Sequence, residues 1–398
     1  MRAYFGGILC VLLIVATVAC AGGQLATTAI PTSVSKPMTH TNPSPSAPTS
    51  TPPPDTPPPE AGTMAVPVPT PTPYVRRFAN VAPTDQYIVG AYWYPWYGSD
   101  GRHWNEGYIG TPVLGRYSSA DPMIINQQID WATGHGIDFW AVSWWGPGSF
   151  EDGVIRSSFL GAELAEEIQF AVFYESLGRL EIRDGVIDVD DVGNRQTLIA
   201  DMRYLASTYF DAPNYLHIDG RPVVFLYLTR IFVGDVAQAM EDVREIVREV
   251  TGEEVFIVGD EVYWHPPASS RVALFDGVTA YNMHTSVPGI AQGFADKVIS
   301  QYRVWAGASA EMGVTFVPDV MPGFDDTAVR PGAGHPVIPR SGTLFTELLE
   351  ASLDLASGQA RMVMITSWNE WHEGTSIEPA EEFGFEYLEL LKSTLEGR

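Results

Sequence analysis

The sequence predicts a (β/α)8 barrel for residues 74–398, and three observations support it. Eight short apolar runs, rich in β-branched and aromatic residues, alternate with longer amphipathic stretches. Near-continuous apolar strands are typical of parallel sheets that helices cover on both faces. No glycine-rich phosphate turn follows an early strand, which disfavours the alternative, a doubly wound open sheet. Eight strand–helix units in 325 residues suit a closed barrel.

The predicted elements follow one another along the whole of this region. The strands are predicted at residues 88–94, 139–145, 169–174, 223–228, 255–259, 277–281, 315–320 and 362–367. Helices are predicted at 122–134, 196–209, 233–250, 294–312, 344–356 and 384–395. The link at 265–276 is short and predicts a single turn of helix. In such barrels the active site lies at the C-terminal ends of the strands.

Residues 1–20 resemble a bacterial lipoprotein signal peptide. Arg2 precedes an apolar run at 8–18, whose 11 residues are too few to span a bilayer comfortably. In these signals a small residue precedes the cysteine that becomes lipidated, and Ala19 precedes Cys20 here, although Thr17 stands where leucine is usual. We therefore predict a lipid anchor on Cys20, with simple cleavage and release as the alternative.

Residues 21–73 are predicted to be a disordered linker. They hold 15 of the 31 prolines, together with many serines and threonines, and such a segment cannot bury a core. It favours an extended spacer, so we expect a domain tethered to a bacterial membrane on the extracytoplasmic side. Both cysteines, Cys10 and Cys20, precede the linker, which excludes a disulfide, a thiolate zinc site or a cysteine nucleophile in the barrel.

The composition excludes some partners. The formal net charge is −25, and so acidic a surface repels nucleic acid and anionic lipid. The hydrophobic fraction of 45% and the charged fraction of 18% are those of a globular protein with a large core. We expect a monomer that binds a neutral glycan and contacts the membrane only through its lipid anchor.

The ends of most predicted strands carry aromatic or acidic residues, which are the groups that a sugar-binding pocket uses. Aromatic rings stack on the apolar faces of sugars, and carboxylate and amide groups pair with hydroxyls. A single residue of this kind is more often core or solvated surface, but here the pattern recurs at most of the strand ends. The candidate sugar contacts are Tyr92, Tyr94, His103, Trp104, Trp145, Glu175, Tyr281, Asn369 and Trp371.

Two carboxyl groups at the end of the last predicted strand are the candidate catalytic residues. Glycosidic cleavage usually needs a pair of carboxyl groups, and Glu370 and Glu373 are three residues apart in the segment 367–374. The alternative is that only one of them faces the pocket. Histidines 103, 265, 284, 335 and 372 show no paired metal-ligand spacing, and no serine-nucleophile elbow is present. We expect no catalytic metal and no cofactor.

Six motifs in a fixed order resemble glycoside hydrolase family 99, the endo-α-mannosidase family. They are YWYPWYG, HWN, GIDFWAVSWWG, FYES, PGFDDT and TSWNEWHEGTSIEPA. The resemblance covers residues 86–395 and implies a (β/α)8 barrel that cleaves internal α-mannosidic linkages with retention of configuration. Family 71 α-1,3-glucanases share some features and are the alternative enzyme, and a non-catalytic glycan-binding lipoprotein is the other alternative.

The resemblance also implies a role for each candidate residue. Glu370 would act as a base on the substrate 2-hydroxyl, which attacks the anomeric carbon to form a 1,2-anhydro sugar. Glu373 would protonate the leaving group and later activate water. Glu175 matches a carboxylate of the family pocket. Residues lining the subsites near the cleaved bond would be Tyr94 or Tyr92, Trp145, Tyr281 and Asn369. The family's substrate-selecting loop is not recognisable at 175–197, so the glycan and linkage stay open.

Overall fold

The computed structural model describes residues 73–82, 86–284, 289–358 and 360–398. The predicted signal peptide with its predicted lipidation site, Cys20, and all but the last residue of the predicted linker lie outside the described residues. Within the described ranges, no helix combines the length and the apolar character needed to cross a membrane.

Eight parallel strands form the barrel. They are β1 (Ile88–Trp93), β2 (Phe139–Trp144), β3 (Gln169–Tyr174), β4 (Arg221–Leu226), β5 (Phe256–Asp260), β6 (Gly277–Thr279), β7 (Thr315–Val317 and Asp319–Val320) and β8 (Met362–Ile365). Each of the strands β1 to β6 pairs in parallel with the next one, and β1 also pairs with β8. A short strand, His217–Ile218, adds an antiparallel hairpin to β4.

Strand β7 closes the ring in two pieces. Thr315–Val317 pairs with β6, and Asp319–Val320 pairs with β8. Pro318 separates the two pieces, and its missing N–H prevents an unbroken ladder at that residue. Because the strands form a closed ring, the predicted (β/α)8 barrel is confirmed and the doubly wound open sheet is wrong.

A helix follows each strand. They are α1 (Pro122–Thr133), α2 (Phe150–Val154, continued by the wider turn Ile155–Phe159), α3 (Val192–Thr208), α4 (Val236–Thr251), α5 (Ser269–Val272), α6 (Phe294–Met312), α7 (Gly342–Leu355) and α8 (Glu386–Glu396). The prediction for α6 matches the structure at both ends, and the short link holds the single turn α5. No helix was predicted at α2.

Side-chain caps explain two differences at helix starts. Asp191 accepts hydrogen bonds from the backbone N–H groups of Gly193 and Asn194, so α3 begins four residues earlier than predicted. The helix predicted from Val233 begins instead at Val236, because Asp235 caps it and Val233 belongs to a short strand. Hydrophobic periodicity carries no information about side-chain caps, so it could not place these two helix starts.

Alternation along β1 separates the barrel interior from the surrounding helix layer. Tyr92 and Tyr94 belong to the interior cluster of side chains, whereas Ala91 and Trp93 pack in the layer between strands and helices. The two tyrosines are two residues apart, so alternation along the strand puts both of them in the interior and does not choose between them. Tyr94 lies nearer the C-terminal end, and Tyr92 lies below it.

Candidate active site

The loop after β8 folds back on itself and presents Glu370. Ser367 Oγ accepts a hydrogen bond from the Glu370 N–H at 2.7 Å and lies 3.0 Å from Thr375 Oγ1 across the base of the loop. The Glu370 carboxylate accepts from the His372 N–H at 2.9 Å. The peptide between Thr366 and Ser367 is cis. These local bonds hold Glu370 at 3% exposure in the mouth of the barrel.

Glu370 and Glu373 have contrasting environments. Burial, followed by the nearby Glu373 carboxylate, raises the pKa of Glu370 well above its usual value, which favours its neutral form. Glu373 Oε1 forms an ion pair with Arg330 Nη1 at 2.9 Å. Its other oxygen, Oε2, is buried without a hydrogen-bond partner among the described residues and lies 3.8 Å from His284 Nε2. The two carboxyl groups therefore have different partners in the protein: Glu370 accepts from a backbone N–H, whereas Glu373 pairs with a guanidinium group.

The loop after β7 supplies the positive charge beside Glu373. Arg330 Nη1 also donates to Asp326 Oδ2 at 3.0 Å, and the Asp326 side chain is almost fully buried. His335 Nδ1 lies 2.5 Å from the same Asp326 oxygen. The ion pair with the buried Asp326 thus positions Arg330, and the ion pair with Arg330 in turn positions Glu373.

Glu175, directly after β3, faces the pocket at 4% exposure. It accepts a hydrogen bond from Ser143 Oγ at 2.6 Å, and Ser143 Oγ in turn accepts from Trp145 Nε1 at 2.9 Å. Trp145 packs flat on the backbone of Gly178, where a Cβ atom would come within 2.3 Å of the indole. Burial raises the pKa of Glu175 to about 8, so at neutral pH this side chain is a hydrogen-bond donor.

Aromatic rings form a wall of the pocket beside the carboxyl groups. The Tyr94 and Tyr281 hydroxyls are 2.5 Å apart, and the Tyr94 ring lies 4.5 Å from the ring of Trp96. Trp96 stacks on His103 at 4.7 Å and lies 6.2 Å from Trp145. This continuous surface is suited to stacking against the apolar faces of successive sugar rings.

Three predicted sugar contacts lie behind this wall. The Asn369 amide accepts from the Tyr94 N–H and donates to the Tyr94 carbonyl and the Tyr117 hydroxyl, so its side chain latches the loop after β8 to the end of β1. Trp104 stacks on Tyr97 at 4.0 Å and is 1% exposed. Trp371 is fully buried. Their predicted contact with sugar stays a prediction, and what the structure shows for all three is packing.

Sequence reasoning missed several residues of the pocket. Trp96 lies in the YWYPWYG motif but was not predicted individually as a sugar contact. His284 was considered only as a metal ligand. The spacing of the sequence carries no signal for Ser143, Tyr227 or Arg330, because they come from three separate places: within β2, directly after β4 and the loop after β7.

Glu378 is a buried carboxyl group that holds the site from behind. It accepts hydrogen bonds from Gln128 Nε2 at 2.7 Å, Tyr117 Oη at 2.8 Å and Trp371 Nε1 at 3.0 Å. Burial raises its pKa to about 7. We expect Glu378→Gln to destabilise the protein by about 1–3 kcal/mol, because the new amide N–H₂ must face one of these donors. Urea unfolding measures this, with the exposed Glu381→Gln as the matched control. Equal stability of the two variants would contradict the arrangement.

The raised pKa of Glu175 predicts the alkaline limit of activity. Below about pH 8 Glu175 is neutral, and above it the site gains a buried negative charge beside Glu373. We expect kcat/KM on the substrate to fall as the pH rises through about 8, and Glu175→Gln, which stays neutral, to move that limb to higher pH. The exposed Glu181→Gln should leave the pH profile unchanged. An alkaline limb that is identical in Glu175→Gln and wild type would disprove this assignment.

Comparison with known proteins gives a consistent result. The model of "Glycosyl hydrolase family 99" matches residues 89–392. The glycoprotein endo-alpha-1,2-mannosidase of Rattus norvegicus is 25% identical over 340 residues, covering 75% of this chain and 69% of the rat protein. The solved structure of the GH99 endo-alpha-mannosidase from Bacteroides thetaiotaomicron has a TM-score of 0.62 at 21% identity, covering 79% of this chain and 98% of that one. At that identity the structural likeness speaks for the fold alone.

Proposed function

The chain belongs to glycosyl hydrolase family 99 and is a glycoside hydrolase, and from this we propose that it is a retaining, endo-acting enzyme that cleaves internal α-mannosidic linkages of mannan-type glycans. The observation that carries the proposal is the pair Glu370 and Glu373 at the mouth of the barrel, the first buried with a raised pKa and the second in an ion pair with Arg330. The aromatic wall beside them supplies the stacking surface.

The first step uses the substrate's own hydroxyl as nucleophile. Glu370 accepts the proton of the 2-hydroxyl while that oxygen bonds to the anomeric carbon, and the bond from this carbon to the leaving oxygen breaks. Glu373 gives its proton to the leaving oxygen. The products are a 1,2-anhydro sugar and the released chain end, and the anomeric carbon has been inverted once.

The second step restores the configuration. Water attacks the anomeric carbon of the anhydro sugar and the bond from this carbon to the 2-oxygen breaks. Glu373 accepts the proton of that water, and Glu370 returns its proton to the 2-oxygen. Two inversions give net retention. Because Glu370 never bonds to the sugar, this route does not require the close carboxyl spacing of about 5–5.5 Å that direct attack by a carboxylate needs.

The first step needs Glu370 ionised and Glu373 protonated. Burial and the neighbouring Glu373 carboxyl group raise the pKa of Glu370, so substrate binding must offset this preference for the neutral form. In the proposed complex, the sugar 2-hydroxyl donates to Glu370 and the leaving oxygen accepts from Glu373, which favours the reactive arrangement.

The substrate class is inferred from the relatives. The rat and Bacteroides thetaiotaomicron proteins are an endo-α-1,2-mannosidase and an endo-α-mannosidase by name. The neutral character of mannan also suits a chain with a formal net charge of −25.

One experiment separates the candidate functions. The purified protein is incubated with α-mannans and with α-glucans, and the released products are identified by mass spectrometry. The proposal expects oligosaccharides from mannan and none from glucan. Cleavage of α-1,3-glucan alone would replace the proposal with the glucanase alternative, and binding without turnover would indicate a glycan-binding protein.

We also propose that the enzyme works outside the cytoplasm on a lipid anchor at Cys20. The support is the lipoprotein-like signal and the proline-rich segment that follows it. Mass spectrometry of the N-terminal peptide from membranes of an expressing bacterium tests the anchor. We expect diacylglycerol on Cys20 and release of a Cys20→Ala variant from the membrane fraction, and an unmodified cysteine would overturn the proposal.

A further inference from the structure

Two loops at the edge of the pocket bring together a set of metal-ligand side chains. His103 and Glu106 lie in the loop after β1, and His372 lies in the loop after β8. One ligand atom from each of the three residues lies within 4.8 Å of the others. His103 Nδ1 and Glu106 Oε2 are 3.4 Å apart. Two imidazoles and a carboxylate form a set that zinc and similar ions use.

The hydrogen bond that His372 makes resembles that of a metal-binding histidine. Its Nδ1 lies 2.7 Å from the carbonyl oxygen of Gly107, and because a carbonyl only accepts, Nδ1 carries the hydrogen. The lone pair is therefore on Nε2, which is buried and has no hydrogen-bond partner within the described ranges. His372 itself is 4% exposed. A backbone carbonyl on one ring nitrogen is the usual way in which a ligating histidine is oriented for a metal on the other.

The ring of His103 is held by stacking on Trp96.

We propose that His103, Glu106 and His372 bind one divalent transition-metal ion of the zinc class, which ties the loop after β1 to the loop after β8. A tetrahedral zinc site with ligand distances near 2.1 Å spaces its ligand atoms about 3.4 Å apart, and the pair His103–Glu106 already has that spacing. The widest spacing among the three ligand atoms, at most 4.8 Å, must shorten by roughly 1.4 Å to reach the same value. The ion stabilises the pocket edge and takes no part in the proposed hydrolysis.

The test uses the full chain without a polyhistidine tag, stripped of metal with a chelator. Titration calorimetry with Zn²⁺ and the visible absorption of added Co²⁺ report binding without any sugar, so the result does not depend on the proposed activity. We expect one ion per chain, cobalt bands of a site with nitrogen and oxygen ligands, and a Tm raised by roughly 5 °C at saturating zinc.

Variants locate the ion. His103→Ala, His372→Ala and Glu106→Gln should each weaken binding at least about tenfold, while the exposed His265→Ala should bind as the wild type does. Glu106→Gln alters only an exposed side chain, so its metal-free Tm should match that of the wild type and misfolding cannot explain its loss. The absence of cobalt bands in the wild type, or binding that is unchanged in all three variants, would overturn the proposal.

Discussion

Glu370→Gln and Glu373→Gln should each lower kcat/KM on an α-mannan by at least about 100-fold, because proton transfer by a positioned side chain contributes roughly 10²–10⁴-fold. Glutamine keeps the size of glutamate, and in Glu370→Gln its carbonyl oxygen can still accept from the His372 N–H. The loss therefore reports the missing proton transfer and not a collapsed loop. Initial rates of oligosaccharide release measure it, with Glu381→Gln as an exposed control carboxyl in the same C-terminal region.

A substrate with an activated leaving group separates the two roles. A nitrophenolate leaves without protonation, so Glu373→Gln should regain much of its first-step rate on an aryl α-mannoside extended at the non-reducing end. Glu370→Gln should not regain it, because the 2-hydroxyl still lacks its base. The reverse pattern, with rescue of Glu370→Gln alone, would exchange the proposed roles of the two residues.

Arg330→Gln should lower kcat on the same mannan by on the order of 100-fold, the cost that misplacing a catalytic group by about 1 Å can have. Arg330 holds Glu373 at 2.9 Å and is itself held by the buried Asp326. Without the guanidinium, Glu373 loses its ion-pair partner in the described structure apart from the His284 ring at 3.8 Å. Arg330→Lys keeps the charge without the planar fork and should recover part of the activity.

The pH profile distinguishes a positioning role for Arg330 from a merely structural one. Arg330→Gln removes a positive charge beside Glu370 and Glu373, so the acid limb of the kcat profile should shift to higher pH. Arg330→Lys should restore the position of that limb. Arg303 lies on the exposed side of α6 and supplies the control variant Arg303→Gln. A wild-type kcat and pH profile in Arg330→Gln would remove Arg330 from the proposed mechanism.

Much of the fold could be predicted from the sequence because its signals are local. Apolar runs located all eight barrel strands, and β3 and α6 have the predicted bounds. What could not be predicted depends on partners distant in sequence. Pro318 is a break in the ladder of β7, yet the pairing of each piece with a different neighbour is visible only in the closed ring.

The site shows the same division. Glu175 was predicted at the end of β3, and Glu370 and Glu373 were predicted at the mouth of the last strand. The structure places all three in the pocket. The fixing of Glu373 by Arg330 depends on a long loop after β7 whose course has no periodic signal. Asn369 was predicted as a sugar contact from its motif. Only the structure shows that its amide oxygen accepts from the Tyr94 N–H and that its amide nitrogen donates to the Tyr94 carbonyl and the Tyr117 hydroxyl.

The most direct test of the central claim follows the anomeric form of the first product by proton NMR. The wild-type protein is mixed with a mannan-type oligosaccharide, and the α and β anomeric signals of the new reducing end are recorded before mutarotation equilibrates them. Retention through Glu370 and Glu373 predicts that the α signal appears first and that neither Glu→Gln variant produces it. A β signal that appears first, or release that persists in Glu370→Gln, would contradict the account.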